Sequence, residues 1–116
     1  MEYYLGKRVK LIIDRPLGSK HPKYNFIYPL NYGYIPNTIS GDNEEIDAYV
    51  IGEFNPLEKY EGYVLAIIKR KNDIEDKLVV CNDLNKYNKD QIKALVEFKE
   101  RFFESTILMF NENITI

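Results

Sequence analysis

Tryptophan is absent from this 116-residue chain, and cysteine and histidine occur once each. The lone cysteine, Cys81, excludes an intramolecular disulfide, and its place in the apolar run LVVC marks it as a small buried hydrophobe. No apolar run approaches the roughly 20 residues that cross a bilayer, and the opening MEYYLGKRVK lacks the apolar core of a secretory signal. A cytoplasmic protein without membrane association is therefore expected. An excess of positive charge is missing too: 16 Lys and Arg face 18 Asp and Glu, for a formal net charge of −2. Non-specific nucleic-acid binding needs a strong positive field, so nucleic acid is not an expected partner. No repeat, charge block or low-complexity linker divides the chain, and we read residues 1–116 as one domain.

What is present is 45% hydrophobic residues, among them ten tyrosines and six phenylalanines, enough for one packed core. VKLII, from Val9 to Ile13, alternates its apolar residues about Lys10 as a strand over a core does. Further β-rich runs are Ile46 to Ile51, Gly62 to Lys69 and Lys77 to Cys81, separated by turn formers such as Gly52, Asn55 and Pro56. One helix is predicted from Asn88, which with Gln91 three residues on has the spacing of a capping box. Its expected apolar face is Ile92, Leu95, Val96, Phe102 and Phe103. Several short strands and one late helix predict a mainly β (α+β) fold: a small, strongly curved sheet or partly closed barrel with a C-terminal helix on one side. The apolar end, Ile107 to Ile116, is expected to be buried, either as an edge strand of its own sheet or against a second subunit.

Tyr28 to Asp47 reads YPLNYGYIPNTISGDNEEID, where tyrosines, prolines and glycines lead into clustered carboxylates. Asp42, Glu44 and Asp47 cross a turn into a strand, and their oxygens suit a hard divalent cation such as Mg2+. An acidic surface turn is the plain alternative, and core aromatics with surface-reaching hydroxyls are the plain reading of the tyrosines. Arg15, Lys20, His21 and Lys23 form a candidate anion patch, with a solvated turn as its competitor. The run Lys69, Arg70, Lys71 reads as an exposed strand end unless Lys77 also points inward.

The block is similar to the signature of soluble family I inorganic pyrophosphatases, Tyr-Pro-x-Asn-Tyr-Gly-Tyr/Phe-Ile-Pro-x-Thr followed by Asp-x-Asp-x-x-Asp. Tyr28, Pro29, Asn31, Tyr32, Gly33, Tyr34, Ile35, Pro36 and Thr38 match in order, followed by Asp42, Glu44 and Asp47. DRPLGSKHPKY resembles the family's Glu-x-Pro-x-Gly-Ser-x-x-Lys-Tyr segment. The resemblance implies a five-stranded barrel of the oligonucleotide-binding type, Mg2+-dependent hydrolysis of pyrophosphate, and a homo-oligomer. It implies Asp42, Asp47, Asp14 and Glu75 as metal ligands, with Glu44, Asp47 and Tyr28 catalytic. Lys23, Lys77 and Tyr28 are implied on phosphate, with Tyr32 behind them.

Departures are equally visible. Glu44 and Glu75 stand where the family has aspartates, Asp14 where it has a glutamate, and Arg70 where another aspartate is expected, with Asp73 as a candidate replacement. Only YNFI separates Lys23 from Tyr28, leaving out a hairpin arginine, and no Tyr-Lys pair follows Phe102, Phe103 and Glu104. The alternative function is a catalytically weakened or inactive relative that binds phosphate or nucleotide.

Overall fold

The computed structural model describes residues 1–41 and 43–112; Asp42 and residues 113–116 lie outside the described set. After a 3-10 turn at Glu2–Tyr4 come β1 (Arg8–Arg15), β2 (Asn31–Ile35), β3 (Ile46–Val50), β4 (Lys59–Arg70), β5 (Lys77–Cys81), α1 (Lys89–Glu100) and β6 (Ser105–Met109). The strands follow the order β1-β2-β3-β5-β4-β6, and a further pairing of β1 with β4 closes the first five into a barrel. Every pairing is antiparallel except that of β3 with β5. The expected five-stranded barrel with a C-terminal helix is what the chain forms.

Strand alternation sorts the side chains into two apolar layers. Val9, Leu11, Ile13, Ile46, Ala48, Val50, Val64, Ile67, Leu78 and Val80 fill the barrel. Tyr28, Leu30, Tyr32, Tyr49, Leu65, Val79 and Cys81 form a second cluster, which Ile92 and Val96 of α1 join. Cys81 is buried and unpaired, as expected. β1 and β2 approach so closely that a Cβ on Gly33 would lie 2.0 Å from the Ile12 carbonyl oxygen. Only glycine fits that crossing.

The capping box forms as predicted: the Asn88 side chain accepts from the Gln91 amide at 2.9 Å, and Gln91 Oε1 accepts from the Asn88 amide at 2.8 Å. The helix stops at Glu100, so Phe102 and Phe103 fall in the turn after it rather than on its apolar face. Phe102 and Leu95 are exposed. Of the apolar end, Ile107 to Met109 lie in β6, which pairs with β4 as an edge strand; the remainder past Glu112 is outside the described residues. Among the described residues no helix is long and apolar enough to cross a membrane.

Candidate active site

The outer face of the barrel carries the polar side chains. On β3, Asp47 and Tyr49 alternate with the barrel-filling Ile46, Ala48 and Val50, and the register sets Asp47 opposite Tyr34 and Tyr49 opposite Tyr32. Asp14 sits where the β1–β2 register slips between Ile13 and Arg15, an irregularity that re-aims a side chain. Asp14, Tyr34, Glu44, Glu45, Asp47 and Glu75 line a cleft of about 470 Å³. Its walls are the end of β1, β2, β3 and the loops before β3 and β5.

Asp47 bonds to side chains of two other strands. Its Oδ2 accepts from Lys77 Nζ at 2.7 Å and from the Tyr32 hydroxyl at 3.1 Å. Lys77 is only 3% exposed and pairs with Glu75 as well. Burial disfavours the Asp47 carboxylate, but hydrogen bonding with Glu75, Lys77 and Tyr32 and the Lys77 charge outweigh it and hold its pKa below the usual aspartate value. Asp14 goes the other way, raised by desolvation and by the Asp47 charge against the pull of Arg15. The donor set is all oxygen and suits a hard divalent cation. Among the described residues no three carboxylates already converge at metal-binding geometry.

A cation that sequence reasoning missed lies beside this cleft. Lys99, in the last turn of α1, places Nζ 3.7 Å from the centroid of Tyr32 and about 6 Å from those of Tyr28 and Tyr49. Among the described residues it has no ion-pair partner. Burial, reinforced by the charge of Lys77, pushes its pKa down to about 7. A half-buried ammonium without a carboxylate is a ready partner for an anion.

Tyr28 is fully buried, its ring packed with Phe26, Tyr32 and Phe98. Desolvation raises its pKa, while the charge of Arg15 works against that. The β1–β2 connection folds back through Gly18 N to Tyr28 O and Tyr28 N to Ser19 O, both 2.8 Å. His21 Nδ1 accepts from the amides of Lys23 and Tyr24, so it orders the loop. Desolvation lowers its pKa, and the charges of Lys99, Arg15 and Lys23 add to the effect.

The sequence model for inorganic pyrophosphatase matches residues 4–114. The chain belongs to the inorganic pyrophosphatase family. It is 29% identical over 127 residues to an inorganic pyrophosphatase of Neisseria meningitidis serogroup A, a match covering 91% of this chain and 71% of that one. Among solved structures it is similar to the inorganic pyrophosphatase of Neisseria gonorrhoeae, with a TM-score of 0.60 at 25% identity over 80% of this chain and 71% of that one. The enzyme of Ehrlichia chaffeensis shares the fold, with a TM-score of 0.71 at 16% identity, covering 92% of this chain and 88% of that one.

Of the residues that the family resemblance singles out, Asp14, Glu44, Asp47 and Glu75 line one cleft, and Lys77 and Tyr32 bond to Asp47. Asp42 lies outside the described residues. Lys23 is exposed in its loop and does not line the cleft. The reading of Lys69 to Lys71 as an exposed strand end is corrected at Arg70, which is buried while Lys71 is exposed and Lys69 pairs with Glu2. Asp73 does not move into the cleft: it accepts from Arg70 Nη1 at 3.2 Å. No aromatic-lysine pair follows Phe103, yet Phe98-Lys99 puts an aromatic and a lysine beside the tyrosines from within α1.

Proposed function

We propose that this chain hydrolyses inorganic pyrophosphate to two phosphates, using a divalent cation, Mg2+ by preference, and that it works as a homo-oligomer in the cytoplasm. The single observation that carries the reading is an acidic cleft with Lys99 beside it, a cation that pairs with no carboxylate among the described residues. Family membership supports it.

Asp14, Asp47, Glu75 and Asp42 would hold the cation. When bound, it would supply Lewis-acid charge to phosphate oxygens and acidify a water. The remaining work falls to the chain's own residues. Lys99 and Arg15 attract and orient the anion, and Tyr28 offers a hydroxyl beside Arg15. Asp47, kept ionised by Lys77 and Tyr32, and Glu44 are the carboxylates able to take the proton of the attacking water. Lys77 gives two of its three N–H donors to Asp47 and Glu75 and keeps the third for the departing phosphate.

A second reading, phosphate or nucleotide binding without turnover, draws on two observations. Lys77 occupies the space between Asp47 and Glu75, and a buried Arg70 stands where the resemblance expects a metal-ligand aspartate. Phosphate release from pyrophosphate in Mg2+, measured beside an Asp14→Asn, Asp47→Asn double variant, separates the two. Turnover lost in the variant supports hydrolysis; no turnover with Mg2+ or Mn2+, but saturable phosphate binding, supports the second reading.

A further inference from the structure

Arg70 engages all three nitrogens of its guanidinium. Nε and Nη2 donate to the two oxygens of Glu100 at 3.1 and 2.6 Å, Nη1 donates to Asp73, and the Phe103 ring centroid lies 3.7 Å away. Glu100 Oε2 also accepts from the Tyr49 hydroxyl at 2.6 Å. Two strands thus grip one carboxylate, β3 through Tyr49 and β4 through Arg70. That carboxylate belongs to the last residue of α1, next in sequence to Lys99. Tyr49 also supplies one of the rings around the Lys99 ammonium.

Among the described residues, no hydrogen bond or ion pair holds the Lys99 ammonium in a direction. Its contacts are ring faces, and a lysine side chain has large rotamer freedom to lose. A desolvated ammonium gains by swinging out to water, so its place over Tyr32 depends on where the helix end is fixed. A forked guanidinium fixes orientation in a way a point charge cannot. Buried ion pairs are weak stabilisers once desolvation is counted, so geometry is the main thing such a pair supplies.

We propose that Arg70 is a positioning residue for Lys99: by clamping Glu100 it sets the last turn of α1 so that the Lys99 ammonium stays on the tyrosine faces beside the acidic cleft. The position at which the resemblance expects a metal-ligand carboxylate has been given over to orienting a phosphate-binding cation. The inference rests on the reading that Lys99 meets a phosphate, but positioning and hydrolysis have separate readouts.

Lys99 is assigned in protein carrying 13C-labelled lysine. Its ε-methylene protons, held near the Tyr32 face, should resonate upfield of the other lysines without substrate or metal. In Arg70→Lys, and likewise in Glu100→Gln, that shift should collapse toward the ordinary lysine position while thermal unfolding stays cooperative. In kinetics, Arg70→Lys should lower kcat/KM at least about tenfold, and adding it to Lys99→Met should cost less than about twofold more, because both act through one ammonium. An unmoved Lys99 resonance in either folded variant, or losses that multiply in the double variant, overturns the proposal. Should the native protein show no turnover, the hydrolase reading fails, and the resonance alone decides the positioning role. Should Arg70→Lys not fold, the Lys99 resonance in Glu100→Gln decides in its place.

Discussion

Lys77 Nζ and the Tyr32 hydroxyl meet on a single atom, Oδ2 of Asp47, at 2.7 and 3.1 Å. Two donors on one oxygen fix the carboxylate's plane and its ionisation together. Asp47→Asn leaves a similar shape but replaces a charged acceptor with an amide and strands Lys77 with Glu75 alone. Phosphate release should fall about 100-fold or more, in line with the loss of a catalytic carboxylate or a misplaced metal. Residual activity above a tenth of the native value would remove Asp47 from the machinery.

Metal binding has a signature independent of catalysis. A cation that binds only the folded chain raises its stability by RT ln(1 + [L]/Kd), about 2.7 kcal/mol at a concentration 100 times Kd. Millimolar Mg2+ should therefore raise the melting temperature of the native chain, and EDTA should reverse the rise. In the Asp14→Asn, Asp47→Asn variant the melting curves with and without Mg2+ should superimpose. A rise of equal size in both proteins would locate the cation elsewhere.

Lys99 makes a prediction about pH. Its proton leaves the folded chain near pH 7, whereas an unfolded lysine keeps it to about 10.4. Between those values the unfolded state binds more protons, so this residue's contribution to stability rises with pH. Its penalty is complete below pH 7. Lys99→Met, which keeps the length and drops the charge, should thus raise the melting temperature most at pH 6, and the gain should shrink toward pH 9. Pyrophosphate hydrolysis should meanwhile decline. A gain that does not vary with pH would mean that packing, not charge, separates the two proteins.

Gly33 tests the fold rather than the site. An added methyl would meet the Ile12 carbonyl oxygen at 2.0 Å, a distance no rotamer can relieve. Gly33→Ala should destabilise the chain by about 3 kcal/mol or more, read from urea unfolding. A change under about 1 kcal/mol would show that β1 and β2 can separate without disturbing the barrel.

Sequence pattern reached the barrel through alternation in VKLII and through the β-rich runs IDAYVI, GYVLAIIK and KLVVC, because these strands share a continuous apolar interior. It did not reach β2. There, Asn31 to Ile35 lacks an apolar run: an asparagine and a glycine, both turn formers, interrupt it, although Asn31 is buried and Gly33 sits at the β1 crossing. Arg70 was hidden in a basic triplet, although a period of two assigns the middle residue of Lys-Arg-Lys to the face opposite its neighbours. Lys99 escaped because a lysine near a helix C-terminus has an ordinary explanation in the helix dipole. Only the tertiary contact with three tyrosines distinguishes it. The carboxylates were legible because their spacing survives in a loop, but their partners Tyr32 and Lys77 come from strands 45 positions apart in the chain and are joined by the sheet alone.

One edge of β4 is shared end to end by two partners, β1 along Lys59 to Tyr63 and β6 along Ala66 to Arg70, while β5 covers the opposite edge. Its central amides can therefore exchange with solvent only when several strands part together. Isotope labelling should find them protected longest, with an opening free energy equal to that of global unfolding. The barrel seam, the helix-side core and the clamp on Glu100 would then break in a single cooperative event, and destabilising any one of them should be felt at all three.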